Sequence, residues 1–119
     1  MKQFLPQKGV PMKIEYLDEF LTLAKYRNYV IAADMLYLSQ STLTRHVQSL
    51  EEFYGVTLFD RNTRKMEITK AGEMLIPYAQ TITKMYNEFL TGTEKRIENN
   101  NYLVYSNTIV SNEQYLIDS

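Results

Sequence analysis

The segment Ser39-Gln40-Ser41-Thr42-Leu43-Thr44-Arg45-His46-Val47-Gln48-Ser49-Leu50-Glu51-Glu52-Phe53-Tyr54-Gly55 spaces its apolar residues Leu43, Val47, Leu50 and Tyr54 at four, three and four. That spacing sets them on one stripe of a helix with about 3.6 residues per turn, and the stripe is the buried face. The ends are marked as well. The Ser39 hydroxyl can accept from an N–H of the first turn, and Gly55 can take the left-handed conformation that closes a helix. On the outer face of the first three turns stand Gln40, Ser41, Thr42, Thr44, Arg45 and Gln48, without a carboxylate among them; Glu51 and Glu52 come only at the far end. Side chains of this kind read base edges and hold phosphates, and small hydroxyl residues let a helix backbone approach a groove. A polar face is also what any surface helix needs, so the reading depends on the neighbouring elements.

Upstream, Ile14, Leu17, Phe20, Leu21 and Ala24 recur at helical spacing to about Tyr26, with Asp18 and Glu19 expected on the opposite side. Asn28 is a candidate N-cap for a short second helix from Tyr29 to about Leu36, in which Ala32 and Ala33 permit close packing. Tyr37-Leu38 forms a tight turn into Ser39. Two helices joined by so short a turn, the second with a polar N-terminal half, make a helix-turn-helix whose second member enters the major groove. Downstream of Gly55 the period changes. Thr57 to Arg61 and Met66 to Thr69 are strand-like and flank the polar tip Asn62-Thr63-Arg64-Lys65, a β-wing on which Arg64 and Lys65 are placed to meet a DNA backbone. Arg61 is as suited to pinning the wing to the helices as to touching DNA.

Thr69 caps a last long helix from Lys70 to about Ile97. Ala71, Leu75, Tyr78, Ile82, Met85 and Phe89 are spaced four, three, four, three and four, a heptad seam that asks for a partner helix. Of these, Leu75, Tyr78, Ile82, Met85 and Phe89 are the candidate dimerisation residues. Pro77 removes one helical hydrogen bond and is expected to bend the axis. Asn99-Asn100-Asn101 reads as a hinge, and the residues beyond it are too few to bury a core of their own.

Composition bounds the possibilities. A chain of 119 residues with 45% hydrophobic content affords one globular domain with an appended element. Its formal net charge of −1 offers no bulk attraction to nucleic acid, so any basic surface has to come from local segregation. Cysteine is absent, which excludes disulfides and thiolate metal sites; no metal site and no cofactor are expected. The start has no apolar signal core and no run approaches a membrane span, so a cytoplasmic protein without membrane contact is expected. Residues 1–11, with two prolines and one glycine, read as a flexible leader.

The blocks Ala32-Ala33 with Leu36, Ser39 to Arg45, Leu50-Glu51-Glu52 with Gly55, Leu58-Phe59-Asp60-Arg61 and Thr69-Lys70-Ala71-Gly72 resemble the winged helix-turn-helix and linker helix of LysR-type transcriptional regulators. The resemblance covers residues 12 to about 97. Two departures are mild: Ser41 stands where the family usually has proline, and Arg27-Asn28 where it often has glycine-serine. The expected organisation is a leader at 1–11, a DNA-binding domain at 12–69, a linker helix at 70–98, and at 99–119 a hinge with the truncated start of an effector-binding domain. The fold class is mainly α, three helices with a two-stranded wing and a long linker helix.

The resemblance implies that Gln40, Ser41, Thr44 and Arg45 lie in the major groove and that Arg64 touches the backbone or minor groove. With Ser39, Thr42, Gln48 and Lys65 these are the candidate DNA-binding residues. It also implies a homodimer through the linker helix, antiparallel, bound to an interrupted inverted repeat of double-stranded DNA. A small-molecule effector belongs to a longer chain; Ser106, Asn107 and Thr108 would fall near its site. An enzyme is not expected: His46 is the sole histidine and flanks the buried stripe as a packing residue, and no phosphate-cradling glycine motif is present. The alternative is a winged helix used for protein contacts and dimerisation, which has no reason to keep acids off the face from Gln40 to Gln48.

Overall fold

The structure of the chain, a computed structural model, describes residues 6–61 and 66–100, with the side chains of the last helix through Gly92. Four helices and one hairpin occur in the order α1 (Ile14–Tyr26), α2 (Tyr29–Met35), α3 (Gln40–Tyr54), β1 (Phe59–Asp60), β2 (Glu67–Ile68) and α4 (Lys70–Asn100). The chain divides after Thr83. The first unit holds α1 to α3, the hairpin and the first half of α4; the second begins at Lys84, within α4.

In the first unit α1, α2 and α3 pack on one another around Leu17, Phe20 and Leu23 of α1, Ala32 and Ala33 of α2, and Leu43, Val47 and Leu50 of α3. Leu58 and Phe59 enter from the wing, the Phe59 ring lying 5.6 Å from that of Phe20. Each fully buried aliphatic or aromatic side chain contributes about 1.5–3 kcal/mol relative to its exposed state, which is why the three stripes converge. The two alanines of α2 are almost completely covered because they have no bulk to hold α1 and α3 away.

The helix ends follow their sequence signals. Asn28 Oδ1 accepts from the Ile31 N–H at 3.0 Å, and Ser39 Oγ from the Thr42 N–H at 3.1 Å. Gly55 closes α3 with φ 70°, its N–H reaching the Glu52 carbonyl, as expected. Two other ends place bulkier residues in the left-handed region, Arg27 after α1 (φ 51°) and Tyr37 after α2 (φ 57°).

The hairpin is antiparallel, with Phe59 opposite Ile68 and Asp60 opposite Glu67. Only Thr69 separates β2 from α4. Its N–H donates to the Leu58 carbonyl at 2.9 Å, its hydroxyl donates to the Thr57 carbonyl at 2.6 Å, and the same oxygen accepts the Gly72 N–H at 3.0 Å. A Cβ on Gly72 would meet the Leu58 carbonyl oxygen and Ile68 Cγ1 at 2.5 Å, so the first turn of α4 lies directly on the wing.

Several expectations need correction. Glu19 does not point outward: it is 8% exposed and turned inward, because α3 supplies a partner for it, described below. Leu23 and Tyr16, outside the expected stripe of α1, are buried. Leu75 is 6% exposed and belongs to the core of the first unit together with Ala79, while Thr83 is buried nearby on the same helix. The exposed apolar side chains of α4 in the first unit are Met74, Tyr78 and Ile82, and in the second Met85, Tyr86, Phe89 and Leu90. The helix runs through Pro77, as expected, and keeps Asn99 and Asn100 helical, beyond the expected boundary at 98. In the expected leader, the Gln7 N–H donates to the Phe53 carbonyl at 2.8 Å. The remainder of the expected hinge and all residues from Tyr102, among them Ser106, Asn107 and Thr108, lie outside the described residues. No described helix is long and apolar enough to cross a membrane.

Candidate nucleic-acid interface

The buried stripe of α3 fixes which side faces outward. With Leu43, Val47 and Leu50 turned into the core, Ser39, Gln40, Ser41, Arg45 and Gln48 are exposed and Thr42 and Thr44 half-buried. Gln40, Thr44 and Gln48 follow one another at i, i+4 along one ridge, and Ser41 and Arg45 along the next. At the N-terminal end three hydroxyls are linked: Ser39 Oγ donates to Thr42 Oγ1 at 2.8 Å and lies 3.2 Å from Ser41 Oγ. Among the described residues nothing is hydrogen-bonded or ion-paired to the side chains of Gln40, Arg45 or Gln48, so their donors and acceptors are available to a ligand. Ser39 is partly committed, since its oxygen already caps the helix.

Two acids close to α3, Glu51 and Glu19, are held by other groups, whereas Glu52 stands exposed in the last turn of the helix. Glu51 turns toward the wing, its Oε2 accepting from the Leu58 N–H at 2.8 Å and the Phe59 N–H at 3.3 Å, while Oε1 lies 3.3 Å from Arg61 Nη1. Arg61 Nη2 also donates to the Tyr29 hydroxyl at 2.9 Å. Burial alone would lower the Arg61 pKa, but the Tyr29 hydrogen bond and the Glu51 charge outweigh it and the value is raised. Of the two roles open to Arg61, the structure assigns the structural one: it ties the wing to α2 and α3.

Glu19 from α1 is the second acid. His46 Nδ1–H donates to Glu19 Oε1 at 2.7 Å, and the imidazole stacks on the Tyr16 ring with centroids 4.2 Å apart and planes 17° apart. A carboxylate oxygen accepts, so the contact is made by the tautomer that carries its proton on Nδ1. His46 is thus a packing residue, as expected, but one with a polar anchor. Sequence pattern misses the pair because its members are 27 positions apart on different helices. Of the wing residues, Arg64 and Lys65 lie outside the described residues.

A carboxylate-free helix face, exposed and largely uncommitted, beside a hairpin fastened to the helix behind it, is an arrangement suited to a groove of duplex DNA. Known proteins resemble the chain in sequence and fold. HTH-type transcriptional regulator HdfR of Salmonella newport (strain SL254) is 36% identical over a region covering 68% of this chain and 34% of its own length. The chain therefore spans about a third of the length of the curated relatives it matches. Among solved structures, the BenM DNA-binding domain in complex with catB site 1 DNA superposes with a TM-score of 0.66 at 27% identity, covering 71% of this chain and 94% of that one. Vibrio fischeri DarR in complex with DNA gives a TM-score of 0.70 at 25% identity, covering 74% and 30%. The model described as "Bacterial regulatory helix-turn-helix protein, lysR family" matches residues 14–73, half of the sequence, and the chain belongs to that family.

Proposed function

We propose that this chain is the DNA-reading part of a transcription regulator, binding an interrupted inverted repeat of double-stranded DNA as a homodimer. The observation that carries the reading is the outer face of α3, where Gln40, Ser41, Arg45 and Gln48 are exposed without a carboxylate among them. Gln40, Ser41, Thr44 and Arg45 enter the major groove, with Thr42 and Gln48 at its walls and Ser39 at the entry. Arg64 and Lys65 take the adjoining backbone. The bidentate groups have the strongest base preferences, arginine for guanine and glutamine for adenine. The BenM and DarR complexes with DNA support the mode of binding, since both proteins share this fold. Tyr78, Ile82, Met85 and Phe89 of α4, joined by Met74, meet a second copy of the chain. An effector site belongs to a longer chain, and neither cofactor nor metal enters the proposal.

The test uses a duplex enriched by the protein from a randomised pool, beside a random-sequence duplex. Arg45→Ala and Gln40→Ala should each cost about 1–3 kcal/mol on the enriched duplex and relax its specificity, whereas Lys65→Ala should weaken both duplexes alike. Equal losses on both duplexes for all three variants would remove the assignment of base reading to α3.

A further inference from the structure

Tyr37 stands two residues ahead of the N-cap of α3, and its backbone and side chain have opposite relations to the fold. The backbone closes α2: the Leu38 N–H donates to the Ala33 carbonyl at 2.9 Å and the Tyr37 N–H to the Asp34 carbonyl at 3.2 Å, the paired bonds of a Schellman turn. The turn needs the residue after the C-cap in the left-handed region, and Tyr37 supplies it at φ 57°. A Cβ crowds the backbone there, so glycine or asparagine is the usual occupant. The side chain gains nothing in return, being 96% exposed. Folding alone would therefore be better served by a residue without a side chain at this position, and strain of this kind clusters at ligand sites; unlike Arg27, which has the same conformation after α1, Tyr37 adjoins the proposed reading helix.

We propose that Tyr37 is a DNA-backbone contact, its phenol hydroxyl donating to a phosphate at the rim of the groove that the N-terminus of α3 enters. The inference rests on the DNA-reading function proposed above. Only Leu38 and Ser39 separate Tyr37 from Gln40, and the N-terminal end of a recognition helix is the end that approaches base edges. The residues just before it then pass the phosphates flanking those bases. Leu38 is half-buried and anchors the turn, leaving Tyr37 as its projecting side chain. A hydroxyl donating to an anionic oxygen makes a short, charge-assisted bond, and tyrosine is among the side chains that hold phosphates. The ring has few torsions to freeze on binding, which keeps the entropic cost low.

The experiment compares the 119-residue chain with Tyr37→Gly and Tyr37→Phe, measuring melting temperature and affinity for two duplexes of about thirty base pairs, one random in sequence and one enriched by the parent chain. Tyr37→Gly relieves the strain but adds flexibility to the unfolded chain, and the balance should raise the melting temperature by about 2–5 °C. The same variant should bind both duplexes about fivefold to tenfold more weakly. Tyr37→Phe keeps the strain and the ring, so it should melt with the parent and lose most of the same affinity. Unchanged affinity of Tyr37→Gly overturns the inference, as does a loss confined to the enriched duplex, which would indicate a base contact. A Tyr37→Phe chain that binds like the parent overturns the hydroxyl contact. A parent chain that binds neither duplex overturns the function proposed above and this inference with it; a parent that binds while Tyr37→Gly binds equally well overturns this inference alone.

Discussion

Arg27 occupies the same kind of position after α1 that Tyr37 occupies after α2, with φ 51° and its N–H 2.7 Å from the Leu23 carbonyl. Its side chain is exposed. A left-handed non-glycine residue costs about 1–2 kcal/mol, and glycine returns about 0.5–1 kcal/mol of that as chain entropy. Arg27→Gly should therefore stabilise the domain by about 0.5–1 kcal/mol, read as a rise in the urea midpoint at unchanged slope. The buried pair is expected to respond oppositely. Glu19→Ala leaves the His46 Nδ1–H without its acceptor in a site where the histidine side chain is 20% exposed, and should cost about 1–2 kcal/mol. Glu19→Gln, whose amide oxygen still accepts, should recover most of it, and thermal melts of the three chains decide the matter. At this scale the sequence was legible where a residue acts on its own turn of backbone, as Asn28, Ser39, Gly55 and Thr69 do. It was not legible where a partner comes from another helix, as with Glu19 and His46, or where arginine and tyrosine stand in for glycine at a helix end.

The elements of this chain are more legible in its sequence than the faces they turn inward. Four helices and the hairpin fall within a few residues of the expected bounds, because hydrophobic period, caps and turn residues all act locally. At the start of α4 the heptad spacing does not mark the exposed side of the helix. A run at four-and-three spacing does not say which of two adjacent apolar residues faces the home core, and Met74 and Leu75 are such a pair: Leu75 is buried and Met74 exposed. What decides between them is Gly72, whose missing side chain lets the first turn of α4 lie on Leu58 and Ile68 and so sets the rotation of the turn that follows. Helix propensity alone says that Gly72→Ala gains about 1 kcal/mol. The added methyl has no space beside the Leu58 carbonyl, and the substitution should instead destabilise by about 1–3 kcal/mol, with chemical denaturation giving the sign.

For the whole molecule the proposed assembly makes the sharpest demand. Ile82 is 40% exposed in the single chain, so Ile82→Asp places a carboxylate where the chain by itself tolerates one. If α4 meets a second copy there, the same substitution buries an unpaired charge, and sedimentation should show dimer giving way to monomer with little change in the melting of the monomeric domain. Binding to a duplex bearing the full repeat should fall toward the level of one half-site, and inserting about five base pairs between half-sites should have the same effect on the parent chain, by turning one half-site about half a helical turn. The net charge of −1 gave no hint of a nucleic-acid partner, because the relevant segregation is local: Glu51 and Glu19 are held by Arg61, His46 and the wing amides, and Glu52 lies in the last turn of α3, away from its N-terminal half. The single residue between β2 and α4 has a mechanical meaning as well. Thr69 is bonded in both directions, to the Thr57 and Leu58 carbonyls just ahead of β1 and to the helix after it, so hairpin and helix start are joined like a crank to its shaft. Torque applied to the first turn of α4 would pass through these bonds to the base of the hairpin.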